Sequence, residues 1–155
     1  MHYKTLIGNY LAGAELARSA VEGMTEEGLD AKPIPGKWST RQVVCHIADF
    51  EPIYADRMKR VIAERCPTFF GGDPDTFAAH LAYEQRSVAD ELELLSAIRR
   101  HMATILRELK ANDFQRTGNH SESGPLTLEA LLRAITDHIP HHVRFIVEKR
   151  KSLEV

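Results

Sequence analysis

The sequence predicts an all-α protein built as a four-helix bundle, and three observations carry that prediction. Apolar residues recur at steps of three and four in four long stretches. Strand signals are poor, because β-branched residues do not alternate with polar ones and no Asn-Gly or Asp-Gly pair joins two such runs. The chain has 155 residues, 43% of them hydrophobic, which suits a single domain over residues 1–155.

The first helix is read from Tyr3, Leu6, Ile7, Tyr10, Leu11, Ala14, Ala17 and Val21, and it ends near Gly23. A connection begins at Thr25, and Pro33, Pro35 and Gly36 keep it non-helical. The second helix opens with Ser39 as N-cap and Gln42 three residues on, the spacing of a capping box. Its apolar row is Val43, Ile47, Phe50, Tyr54, Met58 and Val61, with Pro52 expected to kink it and Cys66-Pro67 to stop it. A loop with Gly71, Gly72 and Pro74 follows, then a short helix near residues 75–82. The third long helix carries Val88, Leu92, Leu95, Ile98, Met102, Ile105, Leu106 and Leu109. Residues 115–126 are polar and read as a connection. Thr127 caps the fourth helix, whose row is Leu128, Leu131, Leu132, Ile135, Ile139, Phe145 and Ile146.

Lys and Arg number 20 against 22 Asp and Glu, a net charge of −2, so no basic face is expected for nucleic acid or for an anionic membrane surface. No run of about 18 apolar residues exists to span a bilayer. The first ten residues lack the continuous apolar core of a secretory signal, and Cys45 and Cys66 are too few for a disulfide scaffold. A reduced, cytoplasmic chain is expected. The unusual count is eight histidines.

A helix turns about 100° per residue, so spacing becomes direction. With Leu128 at zero, the apolar face of the fourth helix centres there, His142 falls at about −40°, His138 at about −80° on its edge, and His141 at about −140° outside it. On the second helix, with Val43 at zero, His46 falls at about −60° and Asp49 at about −120°, one turn further along. Three buried imidazoles without a shared partner each need their own donor and acceptor, whereas a divalent cation takes a lone pair from every one. His46, His138 and His142 are therefore candidate metal ligands with a position left open for water or substrate. The competing reading is a set of buried polar rings or a histidine stack at a helix end or interface.

At this point two segments resemble a known family. Residues 35–49, containing Lys37-Trp38-Ser39 and then His46-Ile47-Ala48-Asp49, are similar to one signature of the DinB/YfiT-like metal-dependent enzymes. Leu126-Thr127-Leu128 followed by His138-Ile139-Pro140-His141-His142 resembles that family's closing signature. The resemblance spans nearly the whole chain; Phe50, Pro52 and Pro140 depart from or lie outside the pattern. It implies an up-up-down-down bundle, a three-His site matching His46, His138 and His142, nickel or zinc as the metal, and a homodimer. It also implies a small-molecule substrate, with low-molecular-weight thiols used by members of known activity.

On these grounds the expected function is thiol-dependent S-transfer to a small electrophile. Metal-dependent hydrolysis of small molecules stands second, and a non-catalytic, stress-related metal-binding module third. Asp49 is the candidate catalytic residue, as an acceptor behind a ligand or as a general base, set against an acid on a solvated helix face. Glu51 is a weaker candidate. Trp38 is expected to pack the helix entrance, Cys45 to be a small core residue, and His120 to be a solvated loop residue that could rim the pocket. Arg57 either recognises a carboxylate or forms a structural ion pair.

Overall fold

The computed structural model describes residues 2–155. Four long helices dominate it: α1 (His2–Val21), α3 (Thr40–Ala63), α5 (Val88–Arg107) and α6 (Leu128–Leu153). Two short ones, α2 (Glu26–Asp30) and α4 (Pro74–His80), lie in the connections. The Ser39 capping box forms as its spacing predicts, with the hydroxyl accepting from the Gln42 amide and the Gln42 side chain accepting from the Ser39 amide. Thr127 likewise accepts from the Ala130 amide and starts α6. Pro52 and Pro140 both lie inside their helices, α3 and α6.

α1 and α3 each pack against both α5 and α6, so α1 and α3 sit on one diagonal of the bundle and α5 and α6 on the other. Two apolar clusters fill its two halves. One joins Leu6, Ile7 and Tyr10 from the start of α1 with Met58 and Val61 late in α3, Met102 and Leu106 late in α5, and Leu128, Leu131 and Leu132 at the start of α6. The other joins Ala17 of α1 with Val43, Val44 and Ile47 early in α3, Leu92 and Leu95 early in α5, and Ile139 and Ile146 far along α6. Hence α1 and α6 run one way and α3 and α5 the other. In chain order the directions are up-down-down-up, a circular shift of the up-up-down-down order. The crossover that links two parallel helices is the long connection between α3 and α5.

Two features depart from the sequence reading. The connection after Val21 folds a five-residue helix, α2, because Thr25 caps it and Leu29 buries into the second cluster. The polar segment 115–126 contains a hairpin, β2 (Thr117–His120) antiparallel to β3 (Gly124–Thr127), and β1 (Thr68–Phe69) adds in parallel to β2. Gly118 permits this close approach, since a Cβ there would fall 2.3 Å from the Phe69 ring. The sheet clamps the α3 end of the crossover against the start of α6. Among the described residues, no helix is long and apolar enough to cross a membrane.

Candidate metal centre

His46 sits in the second turn of α3, and His138 and His142 share one face of α6, as the angular reading places them. α3 packs on α6, so the three rings meet inside the half of the bundle filled by the second apolar cluster. The Nε2 of His46 lies 3.0 Å from the Nε2 of His138 and 3.0 Å from that of His142. One ligand atom from each ring lies within 4.8 Å of the others, and this is the one such group of three found among the described residues. Three nitrogens about 2.0–2.1 Å from one tetrahedral cation are spaced roughly 3.3 Å apart, close to the two 3.0 Å spacings from His46.

Burial holds all three imidazoles neutral. It pushes His46 down to about 4, against a pull upward from Asp49. It pushes His138 down to about 3, with the other two rings and Arg99 adding to the effect, and His142 to about 3, with His46, His141 and Lys149 contributing. Neutral rings at pH 7 expose lone pairs, which is the state a cation needs. The arrangement is incomplete without one. The single Nε2 hydrogen of His46 can serve only one of its two neighbours, and the Nδ1 atoms of His46 and His138 are buried without a partner.

Aromatic rings surround the cluster. Phe50 lies 4.9 Å from the His46 ring and 6.1 Å from His138, and it is backed by Phe77 of α4. Trp38 lies 5.3 Å from His46 on the helix-entrance side. It packs the entrance as expected and also walls a cleft of about 230 Å³ that His142 opens into. His141 is exposed and hydrogen-bonds to Arg144, outside the triad.

Asp49 lies on the shoulder of α3 and is 14% exposed. Its Oδ1 pairs with Arg86 at 2.8 Å, and Arg86 also binds Glu91. Its Oδ2 is buried and without a partner, one helical turn from the equally unpartnered Nδ1 of His46. The Tyr83 hydroxyl faces the same carboxylate, and burial together with Asp49 pushes that phenol well above its usual range.

The other singled-out residues fall elsewhere. Glu51 is fully buried in a bidentate pair with Arg99, and Arg99 also donates to the carbonyls of Tyr10 and Ile135. That pair escaped the sequence reading, although Arg99 falls at about −20° from Leu92 and the same 100° rule would have found it. Arg57 forms neither expected contact: it donates to the Phe70 carbonyl at 2.5 Å and lies over the Tyr54 and Phe69 rings, because the crossover brings a bare carbonyl, not an acid, to its end. His120 is 8% exposed, not solvated, and its Nδ1 accepts from the Glu122 and Ser123 amides, which closes the hairpin turn. Cys45 is buried and its thiol is pushed up to about 11 by burial, so it is a core residue as expected.

The comparison with solved structures gives a close likeness over 98% of this chain and 87% of the other, with a TM-score of 0.91 and 26% identity, to Bacillus subtilis YfiT, described as "a probable metal-dependent hydrolase with an unusual four-helix bundle topology". A second, fold-level likeness is to a DinB-like protein of Bacillus subtilis, YjoA, with a TM-score of 0.64 and 18% identity over 95% of this chain and 90% of that one. In sequence, the chain is 30% identical over 139 residues, 88% of its length and 80% of the other's, to a protein of Oceanobacillus iheyensis named "Putative metal-dependent hydrolase". The DinB superfamily model matches residues 10–146, which takes in all three histidines and most of each long helix, and the chain therefore belongs to the DinB superfamily.

Proposed function

We propose that the chain is a metal-dependent enzyme acting on small molecules at the centre formed by His46, His138 and His142. The observation that carries this reading is the convergence of three neutral imidazoles, His46 buried and His138 and His142 half-buried, within reach of one cation, while two of their Nδ1 atoms stay unpartnered. A divalent cation held by the three would lower the pKa of a bound water or thiol toward neutrality and polarise a substrate carbonyl. Nickel and zinc both suit an imidazole donor set.

The surrounding residues have separate tasks. We assign Asp49 a positioning role: it lies one turn along α3 from His46, its charge acts on that ring, and Arg86 holds the carboxylate in place. Phe50 and Trp38 exclude water from two sides of the rings, which strengthens charge interactions within the site. Hydrolysis is the reading the relatives' names support. Thiol-dependent S-transfer would draw on the same three ligands, a thiol in place of water being the group the cation activates.

Elemental analysis of protein purified without a His tag tests the centre. About one equivalent of nickel or zinc is expected in the native chain and none in the His142→Ala variant; equal metal in both would refute the reading. Incubation with a panel of esters and amides, and separately with thiols plus a reactive electrophile, then divides hydrolase from transferase. Stoichiometric metal with no turnover in either panel would leave a binding module.

A further inference from the structure

The cleft beside the triad holds a cation that nothing in the fold neutralises. His142 lines the cleft together with the apolar Trp38, Val43 and Phe145, and Lys37 and Lys149 supply charge. Lys149 is only 2% exposed, and its Nζ has one polar partner, the Phe145 carbonyl of its own helix at 3.2 Å. Among the described residues no carboxylate comes within salt-bridge distance of it; Glu148, the acid on the cleft, is exposed. Two of the other buried basic side chains have carboxylate partners, and the third, Arg57, has a carbonyl of the crossover. Arg41 binds Glu26 and Asp30, Arg99 binds Glu51, and Arg57 ties down the crossover. Burying an unpaired ammonium is costly, and the cost is met most simply by an anion that enters from outside.

We propose that Lys149, with Lys37 at the rim, forms a carboxylate-binding subsite, so that the substrate is a small acid with an apolar body whose reacting group reaches the triad at His142. This names the substrate class of the centre proposed above and rests on that reading for its chemistry, though not for binding. The cleft volume of about 230 Å³ is below the ~300–1,000 Å³ of sites for drug-sized ligands, which limits the occupant to a compact molecule. A single buried ammonium between apolar walls favours a monoanion over phosphate, and the exposed Glu148 opposes a second negative charge. Burial depresses the Lys149 pKa and Lys37 adds to this, while Glu148 acts against both; a bound carboxylate would restore the charged form.

Trp38 is the sole tryptophan and lines the cleft, so its fluorescence reports occupancy directly. Titrations with 3-phenylpropionate and its neutral amide are run on the protein as purified and after removal of metal by chelation. The acid is expected to bind at least tenfold more tightly than the amide in both states, with inorganic phosphate failing to displace it. Lys149→Met should reduce acid binding to the amide's level and leave the amide unchanged; Lys37→Gln should cost only a few-fold. Equal binding of acid and amide by the native chain, no binding of either, displacement by phosphate, or a preference that survives Lys149→Met would each overturn the proposal. Should Lys149→Met fail to fold, the Lys149 side-chain NMR resonances of the native protein decide instead: they must move with the acid and not with the amide. Failure of the metal reading would show as absent metal and leave the acid-to-amide ratio of the chelated protein to be judged on its own.

Discussion

Two polar clusters are buried about one helical turn apart on α6, and they are built on opposite principles. Around Arg99, four N–H bonds go to the Glu51 carboxylate and to the carbonyls of Tyr10 and Ile135, and both charged side chains are fully buried. Around His46, three rings present nitrogens to each other with too few hydrogens to share, and unpartnered atoms remain on His46, His138 and Asp49. In the first cluster both charged groups find their partners within the protein, and the pair belongs to the fold. The second is satisfied only by adding something, which marks it as a site. Burial of polar groups alone does not separate the two cases; the count of partners does.

Removing one member of the satisfied cluster should produce the largest effect on folding. Glu51→Ala leaves the Arg99 guanidinium buried without its counter-charge, and a loss of about 3–5 kcal/mol in urea unfolding is expected. The paired change Glu51→Leu with Arg99→Met should recover most of that loss, because no charge is then left alone. A single-variant loss under about 1 kcal/mol would show that Arg99 reaches water and would erase the contrast.

The unsatisfied cluster should respond in the reverse sense. His142→Ala is expected to abolish stoichiometric metal, at least a hundredfold in affinity, while changing the unfolding midpoint of the metal-free protein little. Equilibrium dialysis against zinc, read alongside chemical denaturation, checks both halves. A large loss of metal-free stability would mean that the rings hold the bundle together and are structural.

Between these extremes stands Asp49, which has a salt bridge on one oxygen and an unpartnered second oxygen one helical turn from His46. Asp49→Asn keeps the shape and should weaken metal binding about 10–100-fold. Loss of the Arg86 pair alone would lower stability without changing the pH dependence of metal uptake, so a shifted uptake profile separates positioning from packing.

The difference between the clusters also explains what could be read from the sequence. Helix directions follow from a constant turn per residue, so the inward aim of His46, His138 and His142 was available from spacing, as was the bundle itself. The partner of Asp49 was not, because Arg86 arrives from the far end of the crossover. The sheet was invisible for a related reason. β1 has two residues and β2 and β3 have four each, too short for an alternating pattern, and the β1–β2 register pairs Thr68 with Asn119, positions remote in the chain. The cleft is likewise non-local: Lys37 and Trp38 precede α3, whereas Lys149 lies near the end of α6, and no periodicity connects them.

The smallest effect per group, and the one that compares the two clusters under a single condition, is acid titration of the metal-free protein. The folded pKa values of the three histidines lie at about 4, 3 and 3, below the unfolded value of 6.5. The unfolded chain therefore binds more protons between pH 6.5 and about 4, and stability must rise with pH across that window. It is fully present above pH 6.5 and is lost progressively as pH falls toward the folded values. From pH 7 to pH 6, each imidazole should remove about 0.7 kcal/mol. Bound metal should shift the whole loss to lower pH, since protons and cation compete for the same lone pairs. In the His142→Ala variant one imidazole is gone, so the slope between pH 7 and pH 6 should fall by about a third. An unchanged slope would place the acid sensitivity outside the triad. The Arg99 pair contributes no histidine to this window, and the Glu51→Leu, Arg99→Met protein should keep the native slope.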